Sequence, residues 1–283
     1  MSPLDRRQFL LAAAGLTVAA ACGRNDDGAD VRVTSTTTTP ETQLNLLVAS
    51  YVHVAGIDQR VTVAFLQGDM RPLEPTSPVG ITIDGQGVPS VLHDDGIELP
   101  YLLLRHRFAQ PGFATVQASY EGRTAQAALQ VTDPATTMVP FPGKPMISVP
   151  TPTPADPRGV NPICTRQPAC PLHEVSLDAA LAERRPLAVL FATPALCQSR
   201  LCGPVLDNLL AHRSAFADRV RFLHVEIFTS LDRGAATTEA VQAYHLQQEP
   251  FLFLAGADGV VRERLDNAYD RVEARQALER LVA

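Results

Sequence analysis

Four cysteines in the second half of the chain form two closely spaced pairs, and their thiols are the groups best suited to do chemistry. Cys197 and Cys202 are separated by four residues, and Cys164 and Cys170 by five. Thiols this close in sequence can form a disulfide, exchange one with a substrate, or bind a soft metal ion. The surrounding elements and the redox state of the compartment decide among these uses.

The flanking residues place Cys197 and Cys202 in a loop between a buried strand and a helix. The run Leu187–Phe191 is wholly apolar, which is typical of a buried strand. Gly203-Pro204 then begins a segment whose apolar residues fall on one helical face. Helical residues five apart have Cα atoms about 8.6 Å apart, which is too far for a disulfide. A Cys197–Cys202 disulfide therefore requires a helix that begins only at Gly203 or Pro204.

The N-terminus indicates export from the cytoplasm. Arg6 and Arg7 resemble a twin-arginine motif, and the apolar run after them is shorter than the roughly 20 residues that span a bilayer. The small residues before Cys22 resemble a bacterial lipobox, which implies a lipidated Cys22. We therefore expect a membrane lipoprotein on the extracytoplasmic side. A plain cleavable signal and an uncleaved anchor are the alternatives.

The remaining four cysteines suit an oxidising compartment, because an even number allows complete pairing. We predict a structural disulfide between Cys164 and Cys170 that staples a proline-rich loop. A second redox pair that exchanges with the first is the alternative. A zinc site could use His173 or His224, but both cysteine spacings fit zinc poorly. The sequence therefore predicts neither a metal nor a cofactor.

Composition divides the chain into segments of different character. Short alternating strands with turn signals, among them Glu121-Gly122, predict an all-β sandwich of immunoglobulin-like type. A net charge of −6 without a basic block argues against nucleic acid as a partner. The predicted order is an export signal (1–22), a Thr-rich stalk (23–42), the sandwich (43–132), a proline-rich linker (133–162) and an α/β domain (163–283).

The α/β segment resembles the thioredoxin superfamily, and in particular exported bacterial thioredoxin-domain lipoproteins with a Cys-x4-Cys-Gly-Pro loop. Three features carry the resemblance: the apolar strand end Phe191–Thr193, the motif Cys202-Gly203-Pro204, and Pro250 before a later strand. The resemblance implies a thioredoxin-like α/β fold. It also implies that Pro250 lies in cis opposite the cysteines, and that the preceding carbonyl and N–H are left for a substrate backbone.

The sequence departs from the family pattern at two places. Val205 stands where the second cysteine of Cys-Gly-Pro-Cys is expected, and Leu190 lies near the usual buried carboxylate. Glu226 and Glu249 are the candidates to replace that carboxylate in proton transfer; solvated positions at strand ends are the alternative for both. Because the N-terminus of a helix stabilises a thiolate, we predict that Cys202 attacks the substrate disulfide and that Cys197 resolves the mixed disulfide.

These residues predict a membrane-anchored, extracytoplasmic thiol–disulfide oxidoreductase-like protein that acts on protein thiols and disulfides of the cell envelope. The main alternative is a non-enzymatic binding module whose disulfides are structural. Copper handling by the two cysteines with His224 or His245 is a further alternative. A peroxidase is disfavoured because no Pro-x-x-x-Thr-x-x-Cys loop is present.

Overall fold

Three β-sheets carry most of the fold in the computed structural model, which describes residues 43–283. The predicted signal and stalk, with Arg6, Arg7 and Cys22, lie outside the described residues. The described residues belong to one compact unit, Thr38–Ala283. The first two sheets contain ten strands: β1 (Leu44–Val48), β2 (His53–Val54), β3 (Asp58–Gln67), β4 (Pro72–Leu73), β5 (Gly80–Ile83), β6 (Gln86–Gly87), β7 (Ser90–His93), β8 (Tyr101–Arg107), β9 (Gly112–Tyr120) and β10 (Arg123–Thr132).

The first two sheets pack face to face around one apolar core. One has the order β1-β3-β8-β7, with β4 also paired to β3, and the other has the order β2-β10-β9-β5-β6. Val61, Val63 and Phe65 of β3 belong to the same buried cluster as Ile81 and Val116 of the second sheet. Alternate residues of each strand thus supply the core between the sheets.

Strand β3 departs from simple alternation because both of its faces are buried. Every residue from Gln59 to Leu66 is buried. The residues between those of the sandwich core face the C-terminal part of the chain. Arg60 pairs with Glu273, and Ala64 packs in a small cluster with Ala268. The second face of β3 is therefore where the N-terminal half of the described chain (43–132) meets the C-terminal half (133–283).

The predicted hairpin between β9 and β10 is confirmed. Tyr120 pairs with Arg123 across a two-residue turn formed by Glu121 and Gly122. Both turn residues have positive φ angles, 50° and 73°. This is the left-handed conformation that a tight hairpin turn of the primed type requires, and glycine adopts it without a steric penalty.

The rest of the chain builds a third sheet covered on both faces by helices. Its elements are α1 (Leu177–Ala182), β11 (Leu187–Phe191), α2 (Cys202–Phe216), β12 (Arg221–Val225), α3 (Glu239–Ala243), β13 (Phe251–Ala255), β14 (Val261–Asp266) and α4 (Arg271–Val282). The sheet order is β12-β11-β13-β14, with only β11 and β12 parallel. Helices α2 and α4 pack on one face, and α1 and α3 on the other. Strand β11 is buried throughout, as predicted. Within residues 43–283, no helix is long and apolar enough to cross a membrane.

The proline-rich segment 133–162 packs against the third sheet. Met146 and Val149 are buried in the cluster that also contains α1 and α3. The backbone N–H of Val261 donates to the carbonyl of Lys144 at 2.8 Å, and the carbonyl of Val261 accepts from Gly143 at 2.9 Å. Composition predicted an extended connector, but it carried no signal for these contacts along the sheet edge.

Arg60 is the buried charge that joins the two halves. Its guanidinium donates to the carboxylate of Glu273 at 2.6 and 2.9 Å and to the carbonyl of Asp266 at 2.9 Å, and it also contacts the carbonyl of Ala268. The hydroxyl of Tyr101 donates to the same Glu273 carboxylate. Removing one member of such a buried pair leaves an uncompensated charge, which costs far more than loss of an exposed ion pair.

Replacing Arg60 by Met should lower the free energy of unfolding by about 3–5 kcal/mol, because Glu273 would stay buried without its cation. Chemical denaturation followed by circular dichroism measures this loss. The matched control is Arg107→Met on β8, whose ion pair with Asp58 is exposed and should contribute little. Similar losses for the two variants would show that the Arg60 pair does not stabilise the joint.

Candidate active site

The first cysteine pair lies where a loop leaves the third sheet and enters α2. Cys197 and Cys202 form a disulfide with their Cα atoms 5.9 Å apart. Helix α2 begins at Cys202, one residue earlier than the earliest predicted start, and Leu201 occupies the N-cap position. Residues 192–201 stay non-helical, so the loop predicted for this pairing is present.

The two sulfurs of this disulfide differ in access and in their neighbours. Cys202 is completely buried, whereas Cys197 is half-buried in the loop. The backbone N–H of Cys202, one of the unpaired donors at the start of α2, lies 3.2 Å from the Cys197 sulfur. The helix terminus therefore favours thiolate at Cys197, the more exposed of the two sulfurs. The prediction that Cys202 attacks rested on its place at the helix N-terminus, and the sequence did not show which sulfur this N–H faces.

Glu249 is the carboxylate closest to the pair. One of its oxygens accepts the N–H of Thr193 at 2.7 Å and lies 3.3 Å from the Cys202 sulfur. Burial raises the pKa of Glu249 to about 7, helped by the charge of Glu226 and opposed by the Thr193 hydrogen bond and by His224. A group with this pKa beside a buried thiol can accept and return a proton near neutral pH.

Glu226, the other predicted proton carrier, has a different set of contacts. Its carboxylate accepts the backbone N–H of Thr165 at 2.6 Å and the Thr165 hydroxyl at 3.2 Å. That hydroxyl in turn accepts the N–H of Ala195 in the redox loop at 3.2 Å. Burial raises the pKa of Glu226, but its hydrogen bonds fasten segment 163–173 beside the loop and do not involve either sulfur.

Pro250 lies beside this site, and the Glu249–Pro250 peptide is cis. The carbonyl of Glu249, which the resemblance leaves to a substrate backbone, already has one hydrogen-bond partner. It accepts a hydrogen bond from the Tyr51 hydroxyl at 2.8 Å, which also lies 2.9 Å from the side-chain oxygen of Asn267. Tyr51 precedes β2 in the N-terminal half, and nothing in the local sequence connects it with the cysteines.

A groove with a volume of about 530 Å³ opens next to the redox loop. Its walls include Tyr51 and Glu249 on one side, Ser199 of the loop, and Val241 and His245 of the α3 region. Apolar and polar side chains are mixed along it. The groove is large enough for a small disulfide or a few residues of a peptide, and it reaches the redox loop at Gln198 and Ser199, next to Cys197 in sequence.

The second cysteine pair is not disulfide-bonded, which differs from the predicted staple. The sulfurs of Cys164 and Cys170 are 3.7 Å apart, well beyond the roughly 2.05 Å of a disulfide bond. Both sulfurs face His224, and Cys170 also faces His173. Of the two histidines considered for copper at the first pair, His224 thus lies with the second pair, while His245 borders the groove.

No family model matches the chain, and no curated protein matches it. Among solved structures, a thiol:disulfide interchange protein of the thioredoxin family from Chlorobium tepidum TLS is 16% identical, with 48% of this chain and 99% of that chain covered and a TM-score of 0.31. The Lin-41 filamin domain is 10% identical, with 31% and 91% covered and a TM-score of 0.23. A polysaccharide lyase is 18% identical over 31% of this chain with a TM-score of 0.23, and the match spans only 12% of the lyase.

Replacing Glu249 by Gln should remove a pH dependence of stability. Because the pKa of Glu249 rises from 4.5 to about 7 on folding, the folded state holds a proton there that the unfolded chain has released. The wild type should therefore lose stability as pH rises through this window, and the variant should not. At roughly 1.4 kcal/mol for each pKa unit, reduced for partial exposure, the variant should gain about 1–3 kcal/mol relative to wild type across the window.

The measurement is urea denaturation of both oxidised proteins at a series of pH values. Glu121→Gln, at an exposed turn, is the control and should run parallel to the wild type. If Glu249→Gln also ran parallel to the wild type, the pKa of Glu249 would be close to its ordinary value.

Proposed function

We propose that the protein is a thiol–disulfide exchange protein of thioredoxin-like type, acting through Cys197 and Cys202. The observation that carries the proposal is the asymmetry of the disulfide: an accessible sulfur receives a helix N-terminal N–H, and a buried sulfur lies beside a carboxyl group. A purely structural disulfide needs neither arrangement. The finer architecture belongs to the same proposal: an immunoglobulin-like sandwich joined to a thioredoxin-like α/β domain.

The exchange proceeds in two balanced steps from the reduced protein. The Cys197 thiolate attacks a substrate disulfide, so that a mixed disulfide forms and one substrate thiolate leaves. Glu249 then accepts the proton of the Cys202 thiol, and the resulting thiolate attacks the Cys197 sulfur. The second substrate thiolate leaves, and the protein holds its disulfide while the substrate is a dithiol. The reverse sequence oxidises a substrate dithiol with the same groups.

The proposed setting is the outer side of a bacterial membrane. The twin-arginine resemblance at Arg6 and Arg7 and the lipobox at Cys22 support export and a lipid anchor. The partners are then thiols and disulfides of the cell envelope. The exchange needs no cofactor, because each electron pair moves between sulfurs.

A non-enzymatic binding module is the second candidate, and the Tyr51 contact favours it. Because the Tyr51 hydroxyl already bonds to the Glu249 carbonyl, it competes with an extended polypeptide for one of the two backbone hydrogen bonds that the resemblance implies. Small disulfides do not need that bond. The contact therefore points either to small thiol substrates or to a groove that binds a partner without exchange.

Single serine variants of the two cysteines separate their roles. In the Cys202→Ser variant, Cys197 should still attack the substrate. The mixed disulfide should then accumulate, because the resolving thiol is missing. Cys197→Ser should form no adduct, because its remaining thiol is buried. Mass spectrometry of the reduced variants after incubation with a small disulfide detects the adduct, and the double variant gives the background.

Two results would contradict this proposal. Adduct formation by Cys197→Ser but not by Cys202→Ser would restore Cys202 as the attacking residue. A wild-type disulfide with a reduction potential below about −300 mV, together with no adduct in either variant, would make the disulfide structural and favour the binding module.

Removing the Tyr51 hydroxyl should widen the substrate range. In Tyr51→Phe the Glu249 carbonyl is free for a peptide N–H, and one such hydrogen bond corresponds to about a two- to tenfold gain in exchange rate. Exchange with a small disulfide should stay unchanged. The matched control is Tyr120→Phe, which removes a remote hydroxyl that accepts the backbone N–H of Thr76. An equal change for peptide and small substrates would show that Tyr51 does not gate the carbonyl.

A further inference from the structure

The geometry points to a second site, independent of the exchange chemistry: a tetrahedral Zn²⁺ site formed by Cys164, Cys170, His173 and His224. All four residues are more than nine-tenths buried, and one ligand atom from each lies within 4.8 Å of the other three. The sequence disfavoured zinc because both cysteine spacings fit it poorly and the expected compartment is oxidising. The fold brings His224, on β12, against the segment that carries the other three.

Four of the distances between the ligand atoms lie close to the edges of a tetrahedron around zinc, and a fifth is about half an ångström longer. Bonds of about 2.3 Å to sulfur and about 2.0–2.1 Å to nitrogen give edges of roughly 3.8 Å between sulfurs, 3.5 Å between sulfur and nitrogen, and 3.3 Å between nitrogens. The two sulfurs are 3.7 Å apart, and the two ring nitrogens 3.2 Å. The Cys170 sulfur lies 3.3 Å from His173 and 3.4 Å from His224, and the Cys164 sulfur lies 4.0 Å from His224.

The surrounding hydrogen bonds prepare the ligand atoms. Nε2 of His224 lies 2.9 Å from the carbonyl of Ala192, which can only accept, so Nε2 carries the proton. Nδ1, which faces the cysteines, is then left with a free lone pair, as a metal ligand needs. The backbone N–H of Cys170 lies 3.3 Å from the Cys164 sulfur, where it stabilises a thiolate.

Charge balance selects zinc over copper. Two thiolates and two neutral imidazoles neutralise Zn²⁺, whereas Cu⁺ in the same site would leave one net negative charge. Both cysteines belong to the apolar cluster under α2 and α4, where a net charge is costly. A neutral Cys₂His₂ centre without an open position suits a structural ion that fixes segment 163–173 to the third sheet.

Zinc content of the full-length protein, prepared without a metal-binding tag, tests the site. We expect elemental mass spectrometry to find one zinc ion per chain. X-ray absorption should show two sulfur ligands at about 2.3 Å and two nitrogen ligands at about 2.0–2.1 Å. Cys197→Ser/Cys202→Ser should keep its zinc while losing exchange. Cys164→Ser/Cys170→Ser should lose its zinc. The metal and the exchange activity are thus tested by different variants.

The wild type alone can overturn the site, so the test does not depend on variants that fold. Peptide mapping that finds a Cys164–Cys170 disulfide in a zinc-free protein, even after reduction and addition of Zn²⁺, would exclude it. The site would also be excluded if titrating the reduced protein with Co²⁺ produced none of the visible absorption bands of a tetrahedral Co²⁺–thiolate centre. Zinc that is lost from the Cys197/Cys202 double variant would place the ion at the redox pair instead.

Discussion

Burying the charge of Arg60 constrains the arrangement of the described chain. A guanidinium removed from water must find carbonyls and a carboxylate, and Arg60 finds them at Asp266, Ala268 and Glu273. These residues end β14 and begin α4, so the connection between the two elements is held against β3. Residues 266–267 also bond to Tyr51, Val52 and Ala49, so Arg60 and these contacts hold the connection together.

The candidate active site takes residues from both sides of that joint. The carboxylate of Asp266 accepts the backbone N–H of Tyr51 at 2.9 Å, and Asn267 contacts the Tyr51 hydroxyl. Tyr51 is thereby carried to the Glu249 carbonyl. The N-terminal half therefore contributes a side chain to the groove, and under the proposed function it takes part in substrate access.

Features determined by residues close in sequence could be predicted, and those that depend on distant contacts could not. The apolar run of β11, the hairpin turn at Glu121-Gly122 and the Asp270 cap of α4 each follow from a few adjacent residues. The burial of both faces of β3 depends on contacts more than 200 positions away. Tyr51 and His224 reach their sites in the same way, so neither carries a local signal.

The two cysteine pairs show why spacing alone could not assign their chemistry. Spacings of four and five intervening residues are nearly alike, but the sulfurs have different neighbours. Cys197 is half-buried and faces an N–H, so an incoming thiolate can reach it. Cys164 and Cys170 are buried and face imidazoles, so burial shields them from exchange with the first pair. This separation lasts only while segment 163–173 stays docked, and the hydrogen bond between Thr165 and the redox loop means that both pairs depend on that docking.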